Sequence, residues 1–372
     1  MTLSDAGLLA LEQRVLWAAL ALGLAFGAVA QRTHFCTMGA IADVLNIGDW
    51  SRLRMWALAV GVAMIGFNTM VALGWVAAAD SLYAVPVLRW ASMAVGGLLF
   101  GFGMVLASGC GSKTLVRIGG GNLKSLVVFI VLAVSALAAM RGGPALLRVA
   151  TVDQLQWTLV SGQDLPSLAA GLGGSLAQRA GVLGGLIGAA LMVWALARRE
   201  GRSVDVLLGG LGIGGLVVAL WWVSGVMGHL AEHPNTLEEA FLATNSQRME
   251  SFSFVAPLAY VLDGLMFASD TSRRITQGMV LVGGVVIGSA AVALAGRSFR
   301  WEGFRGVEDT ANHLVGAALM GLGGITAMGC TIGQGLSGLA TLSLGSVIAV
   351  AGIFAGAWAA LRWQTWRIER SE

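Results

Sequence analysis

Apolar runs near twenty residues recur along the chain, at about 14–31, 55–79, 90–107, 124–140, 180–197, 205–223, 252–269, 278–295, 311–328 and 345–362. A helix of that length matches the hydrocarbon core of a bilayer. The pattern therefore predicts about 9–10 spanning helices. Three shorter apolar pieces, at about 37–47, 111–121 and 331–343, each follow a cysteine. They are too short to span and too apolar to be solvated loops, which predicts re-entrant half-helices.

The polar breaks orient the chain. Arg198-Arg199-Glu200-Gly201-Arg202 is short and basic, and the tail carries Arg362, Arg367 and Arg370. The positive-inside rule places both in the cytoplasm. The loop from about 224 to 251 holds His229, Glu232, His233, Glu238, Glu239 and Glu250 with Arg248 as its one basic residue, and is expected outside. The 141–179 stretch is moderately polar and lies partly along the interface, with its side open. Met1 to Gln13 carries acidic residues and no basic n-region, which predicts no cleavable signal peptide.

Composition agrees with a membrane setting. Of 372 residues 56% are apolar and 12% charged, against about 25% charged in soluble domains, and mean hydropathy is +0.78. The expected fold class is an all-α polytopic membrane protein in a lipid bilayer. The 54 glycines are interspersed with Leu, Val and Ala, as small-residue packing between membrane helices requires. A net charge of +3 gives no argument for nucleic acid.

Superposing Cys110 on Cys330 aligns Val95-Gly96, Gly101-Phe-Gly103 and Gly109-Cys110 with Val315-Gly316, Gly321-Leu-Gly323 and Gly329-Cys330. Two copies of a broken-helix unit point to a transporter site at a repeat interface. The chain divides into a first repeat at about 10–140, an inserted loop and span at about 141–204, and a second repeat at about 205–362, all one transmembrane domain. For Cys36 the nearest counterpart in the second half is the region around Ser224.

The cysteines at 36, 110 and 330 all lie where an apolar helix meets a short apolar piece. An odd, widely spaced set without C-x-x-C is poor material for a disulfide framework or zinc site, and no metal or cofactor is expected. A half-helix after each cysteine would aim free N–H groups at the joint, which is an anion site. A neutral thiol adds a soft donor suited to sulfur. Arg32 and His34 before Cys36, Lys113 after Cys110 and Gln334 after Cys330 are further candidate contacts; Arg32 could equally snorkel to the interface, and Gln334 could cap carbonyls. Asp43 and Asp263 keep proton coupling open. No nucleophile elbow or Walker A sequence is present, so no enzyme activity or nucleotide motor is expected.

Gln31-Arg-Thr-His-Phe-Cys36, Gly109-Cys110, Phe299-Arg-Trp-Glu-Gly-Phe304 and Gly329-Cys330-Thr-Ile-Gly-Gln-Gly-Leu-Ser-Gly338 resemble the YeeE/YedE sulfur-transport family. The resemblance implies a bacterial inner-membrane importer of thiosulfate with inverted repeats around an hourglass path. In that picture Cys36, Cys110 and Cys330 hand thiosulfate along by S–H···S hydrogen bonds. Some members are linked with selenium compounds or with small sulfur carriers of the TusA type. A membrane thiol-redox or persulfide-transfer enzyme and a general anion channel are the rival readings.

Overall fold

In the computed structural model, residues 5–270 and 274–371 are described; the first residues of the segment read for a signal peptide lie outside them. The first half comprises α1 (Asp5–Thr33), α2 (Thr37–Ile47), α3 (Ser51–Ala72), α4 (Trp90–Leu106), α5 (Gly111–Gly119) and α6 (Leu123–Arg141). Next come α7 (Gly143–Ala150), α8 (Leu165–Leu168) and α9 (Leu176–Leu196). The second half comprises α10 (Val204–Trp222), α11 (Val255–Met266), α12 (Gln277–Ala295), α13 (Val307–Thr326) and α14 (Leu344–Ser371). Among the described residues eight segments are long and apolar enough to cross a membrane, and α13 adds a helix of 20 residues. The chain is an all-α polytopic membrane protein.

Two expected spans differ from what forms. The run at 252–269 yields a helix of only 12 residues, Val255–Met266, about 18 Å long at the α-helical rise. Its apolar sequence begins as non-helical chain: Phe252 and Phe254 are fully buried and pack on Phe26 of α1 at 4.9 and 5.4 Å. Burial, not helix length, accounts for the hydrophobicity there. The run at 55–79 stops helically at Ala72, because Gly74 takes a left-handed conformation (φ +72°) that ends the helix.

Glycine sets the packing. A Cβ on Gly96 of α4 would lie 2.3 Å from the Ala327 nitrogen and 2.7 Å from the Gly323 oxygen; one on Gly103 would lie 2.6 Å from the Gly316 oxygen. Numbers rise along α4 as they fall along α13, so the two helices are antiparallel and in backbone contact. Around this central pair α4 packs on α14 and α13 on α6, while α1 packs on α12, α10 on α3, and α9 on the outside of α3.

The connections gather at two faces. On one, Leu82 bonds Met249, Val87–Leu88 pairs with Trp157–Thr158, and Leu165 bonds Leu342; this face carries the 228–254 loop and the whole 142–175 stretch. On the other, Arg300 bonds Gly120, Leu123 bonds Glu302, and Arg54 pairs with Glu200 at 3.8 Å. The latter face also carries Arg198, Arg199, Arg202 and the end of α14, where Arg367 pairs with Glu308 at 2.7 Å.

Candidate functional site

The three joints share one backbone device. His34, Ser108 and Met328 have φ of +54°, +56° and +57°, and each stands two residues before a cysteine. In α4 the amide of Ser108 bonds the Val105 carbonyl and that of Gly109 the Met104 carbonyl; in α13 Met328 bonds Ile325 and Gly329 bonds Gly324. Both are Schellman endings whose left-handed residue, ordinarily glycine, is a larger one. Strain of this kind concentrates at functional sites.

At two joints the chemistry also repeats. Cys-Thr-x-Gly occurs at 36–39 and at 330–333. The thiol sulfur accepts the glycine N–H at 3.3 Å (Gly39 to Cys36) and 3.4 Å (Gly333 to Cys330), leaving each S–H proton free to donate elsewhere. The adjoining hydroxyls of Thr37 and Thr331 are buried without a protein partner, as is the indole N–H of Trp56, whose ring lies beside Gly335. Buried donors of this kind call for an explanation, and a ligand is one. At the third joint Ser112 shares a hydrogen bond with Cys110 at 3.2 Å.

Elsewhere the broken backbone is satisfied internally, as membrane depth demands. Ser337 donates to the Phe252 carbonyl at 2.7 Å, Ser251 to Val217 at 2.9 Å, and Asn68 to Ala340 at 2.8 Å. The chain after Cys330 forms a π turn, Gly333–Gly338, a geometry frequent at functional positions.

Residues of the three joints line two cavities. One of about 200 Å³ is lined by Met328, Gly329, Ser253 and Tyr83 near Cys330 and extends to Glu250, Gln277 and Met140. A second, of about 490 Å³, is lined by His34, Ser108, Lys113, Arg117 and Arg300 and extends to Lys124, Asp309 and His313. Helix α12 begins at the first with Gln277 and Gly278 and ends at the second with Ser298 just beyond it; α13 and α6 likewise touch both. The cavities therefore sit at opposite ends of the same helices. Met328 and Gly329, next to Cys330 in sequence, line the first cavity, while His34 and Ser108, two residues before Cys36 and Cys110, line the second. Cys110 and Cys330 are buried and Cys36 is partly exposed.

Of the residues expected from sequence, His34 and Lys113 line the second cavity. Arg32 does not: it is exposed and pairs with Asp205 at 3.3 Å. Gln334 is committed to the fold, its amide donating to the Ala327 carbonyl at 2.7 Å and its oxygen accepting from Ser346 at 2.6 Å, the capping role considered above. Asp43 pairs with Arg52 at 3.4 Å and Asp263 with Arg141 at 3.9 Å. Sequence reasoning missed Thr37, Thr331, Tyr83, Ser253 and Glu250. The repeated Cys-Thr-x-Gly could have flagged the first two; no pattern announces the others, which come from loops far from any cysteine in sequence. Burial pushes the Tyr83 phenol far above its ordinary pKa, so it serves as a neutral donor.

Long apolar helices, glycine-packed and broken beside two cavities at opposite ends of the bundle, define a membrane transport protein. The chain belongs to the sulphur transport family, whose model matches residues 32–359. It is 26% identical over 350 residues to the thiosulfate transporter TsuA of Escherichia coli K12, covering 90% of this chain and 92% of that protein. It is 25% identical over 351 residues to the thiosulfate transporter TsuA of Spirochaeta thermophila, covering 92% and 97%. A 112-residue stretch, 30% of this chain and 26% of the other, is 32% identical to the probable transporter YedE of Escherichia coli K12.

Proposed function

We propose that this protein imports thiosulfate, or a closely related sulfur anion, along the line Cys330, Cys110, Cys36 across a bacterial inner membrane. The observation that supports this reading is that the joint of Cys330 borders one cavity and the joints of Cys36 and Cys110 border the other, at opposite ends of the same helices. Thiosulfate has a soft terminal sulfur and three charged-end oxygens. Thiols suit the first, and the unpaired hydroxyls of Thr37 and Thr331 suit the second. Weak contacts at successive sites let an ion enter without becoming trapped.

The larger cavity is the inner one in this reading. Five Lys or Arg side chains line it against two carboxylates, and its face carries Arg198, Arg199, Arg202 and the chain end, so the positive-inside rule assigns it to the cytoplasm. Among the described residues Lys113, Arg117 and Arg300 have no carboxylate partner, whereas Lys124 is held by Asp309 at 3.1 Å and Glu302 at 3.4 Å. Unpaired cations there would receive the emerging anion. A small sulfur carrier of the TusA type would collect it at this face.

Two copies of one unit, α1–α6 and α10–α14, account for the packing. Exchanging α1 with α10, α3 with α12, α4 with α13 and α6 with α14 leaves the set of packed pairs among these eight helices unchanged. The antiparallel run of α4 and α13 supports an inverted relation, with the 141–204 region inserted between. In this reading the joint before α11 answers to the Cys36 joint, which favours Ser253-Phe254 over the region around Ser224 as its counterpart.

The test is thiosulfate uptake into proteoliposomes by wild type and by Cys36→Ala, Cys110→Ala and Cys330→Ala. Each variant is expected to lose most uptake while remaining monodisperse in detergent. Full uptake by all three would eliminate the thiol path. Turnover-dependent persulfide on Cys110 or Cys330 in mass spectra would favour a persulfide-transfer enzyme instead.

A further inference from the structure

The two cavities differ in charge. Among the described residues the outer one has a single carboxylate, Glu250, and no Lys, Arg or His in its lining. Its remaining polar wall is neutral, including Tyr83, Tyr260, Asn245, Ser253, Thr276 and Gln277. Thr276 and Gln277 are 6% and 1% exposed, and Thr276 Oγ1 and Gln277 Oε1 have no protein partner. Buried polar atoms left unpaired on a cavity wall point to something bound there.

Among the described residues an anion in this cavity would find hydroxyl and amide donors but no counter-charge, and an ionised Glu250 would repel it at low local dielectric. Protonation removes that charge and turns the carboxyl into an O–H donor. We propose that the outer cavity binds the sulfur anion together with one proton, carried on Glu250. The inference rests on reading this cavity as the entrance of the path. One proton is taken up as each anion binds, and it leaves Glu250 when the anion moves on.

The surroundings of Glu250 favour this. Its backbone N–H donates to Ser224 Oγ at 3.0 Å, and its Oε1 accepts the Ser246 N–H at 2.9 Å, which fixes the carboxyl at the wall. From its own loop, Arg248 turns away to the Ala79 carbonyl at 3.2 Å. Helix α11 presents Tyr260, the stretch before α4 presents Tyr83, and α12 presents uncharged Gln277. Asp263, further along α11, pairs with Arg141. Burial raises the Glu250 pKa above the ordinary carboxyl range, against the lowering by hydrogen bonds from Ser246.

The experiment measures thiosulfate uptake by the full-length protein in proteoliposomes at external pH 5.5 to 8. By linkage, the apparent KM should rise toward tenfold per pH unit above the Glu250 pKa with little change in maximal rate. Glu250→Gln, which keeps the acceptor for Ser246, should show a low KM that no longer varies with pH. Calorimetric titration of the wild type with thiosulfate, in buffers of different ionisation enthalpy, should register close to one proton taken up per anion above that pKa. This second measurement decides the matter if the variant does not fold. A wild-type KM flat with pH, binding without proton uptake, or a Gln variant with the wild-type slope would each overturn the proposal while leaving transport intact. No thiosulfate binding at any pH would overturn the transport reading and this inference with it.

Discussion

At the scale of single residues, the site is made of groups whose neighbours leave them unsatisfied. Thr37 and Thr331 are each 2% exposed, follow a cysteine that caps its own turn, and have no partner for the hydroxyl. A hydrogen bond to a charged group contributes about 1.5–3 kcal/mol. Thr37→Val and Thr331→Val, which keep shape and lose the hydroxyl, are each expected to weaken thiosulfate transport by about tenfold or more. Serine at either position should retain most of it, and uptake kinetics separate the two results. Ser108 is held left-handed, a conformation that β-branched side chains resist. Ser108→Val should lower stability by about 1–2 kcal/mol, read as thermal unfolding in detergent, while Ser108→Gly should not.

At the scale of elements, glycine sets how close helices come and the cysteine joints set where they break. Gly316 lies against Gly103 and Ala107 with no room for a side chain: a Cβ would stand 2.6 Å from backbone atoms. Gly316→Leu should reduce folded yield or stability, since overpacking costs about 1–3 kcal/mol even where neighbours can adjust. Gly185 on α9 has nothing within 4 Å, and Gly185→Ala should be neutral or slightly stabilising. Equal behaviour of the two variants in a thermal melt would contradict the seam. The helices themselves were largely legible because apolar length is a one-dimensional property: 278–295 became Gln277–Ala295 and 90–107 became Trp90–Leu106. The 252–269 run was misleading because hydropathy reports burial, and Phe252 and Phe254 are buried in a non-helical stretch.

At the scale of the molecule, the two cavities are unlike, one basic and one bearing Glu250. Sidedness is testable with membrane-impermeant thiol reagents. A protein retaining only Cys36, which is partly exposed near the basic cavity, should label from the cytoplasmic side. One retaining only Cys330 should label more slowly and from outside, and thiosulfate should protect both. Labelling of Cys36 from outside would reverse the orientation. A proton entering with each dianion would also remove one elementary charge from the work done against the membrane potential, about 2.3 kcal/mol per 100 mV.

The sequence by itself determined the membrane setting, the positions of most helices, the three cysteine joints and a recurrence of glycine spacing that matches Gly96 with Gly316 and Gly103 with Gly323. These are local or periodic properties, written in apolar length and glycine placement. Only the tertiary structure decided which polar groups face the path. Arg32 is drawn off by Asp205 and Gln334 by Ala327 and Ser346, while Tyr83, Ser253 and Glu250 arrive from distant loops to form the outer cavity. A hydrogen-bonding side chain has several possible partners, and which one it finds depends on contacts between segments that no local pattern encodes.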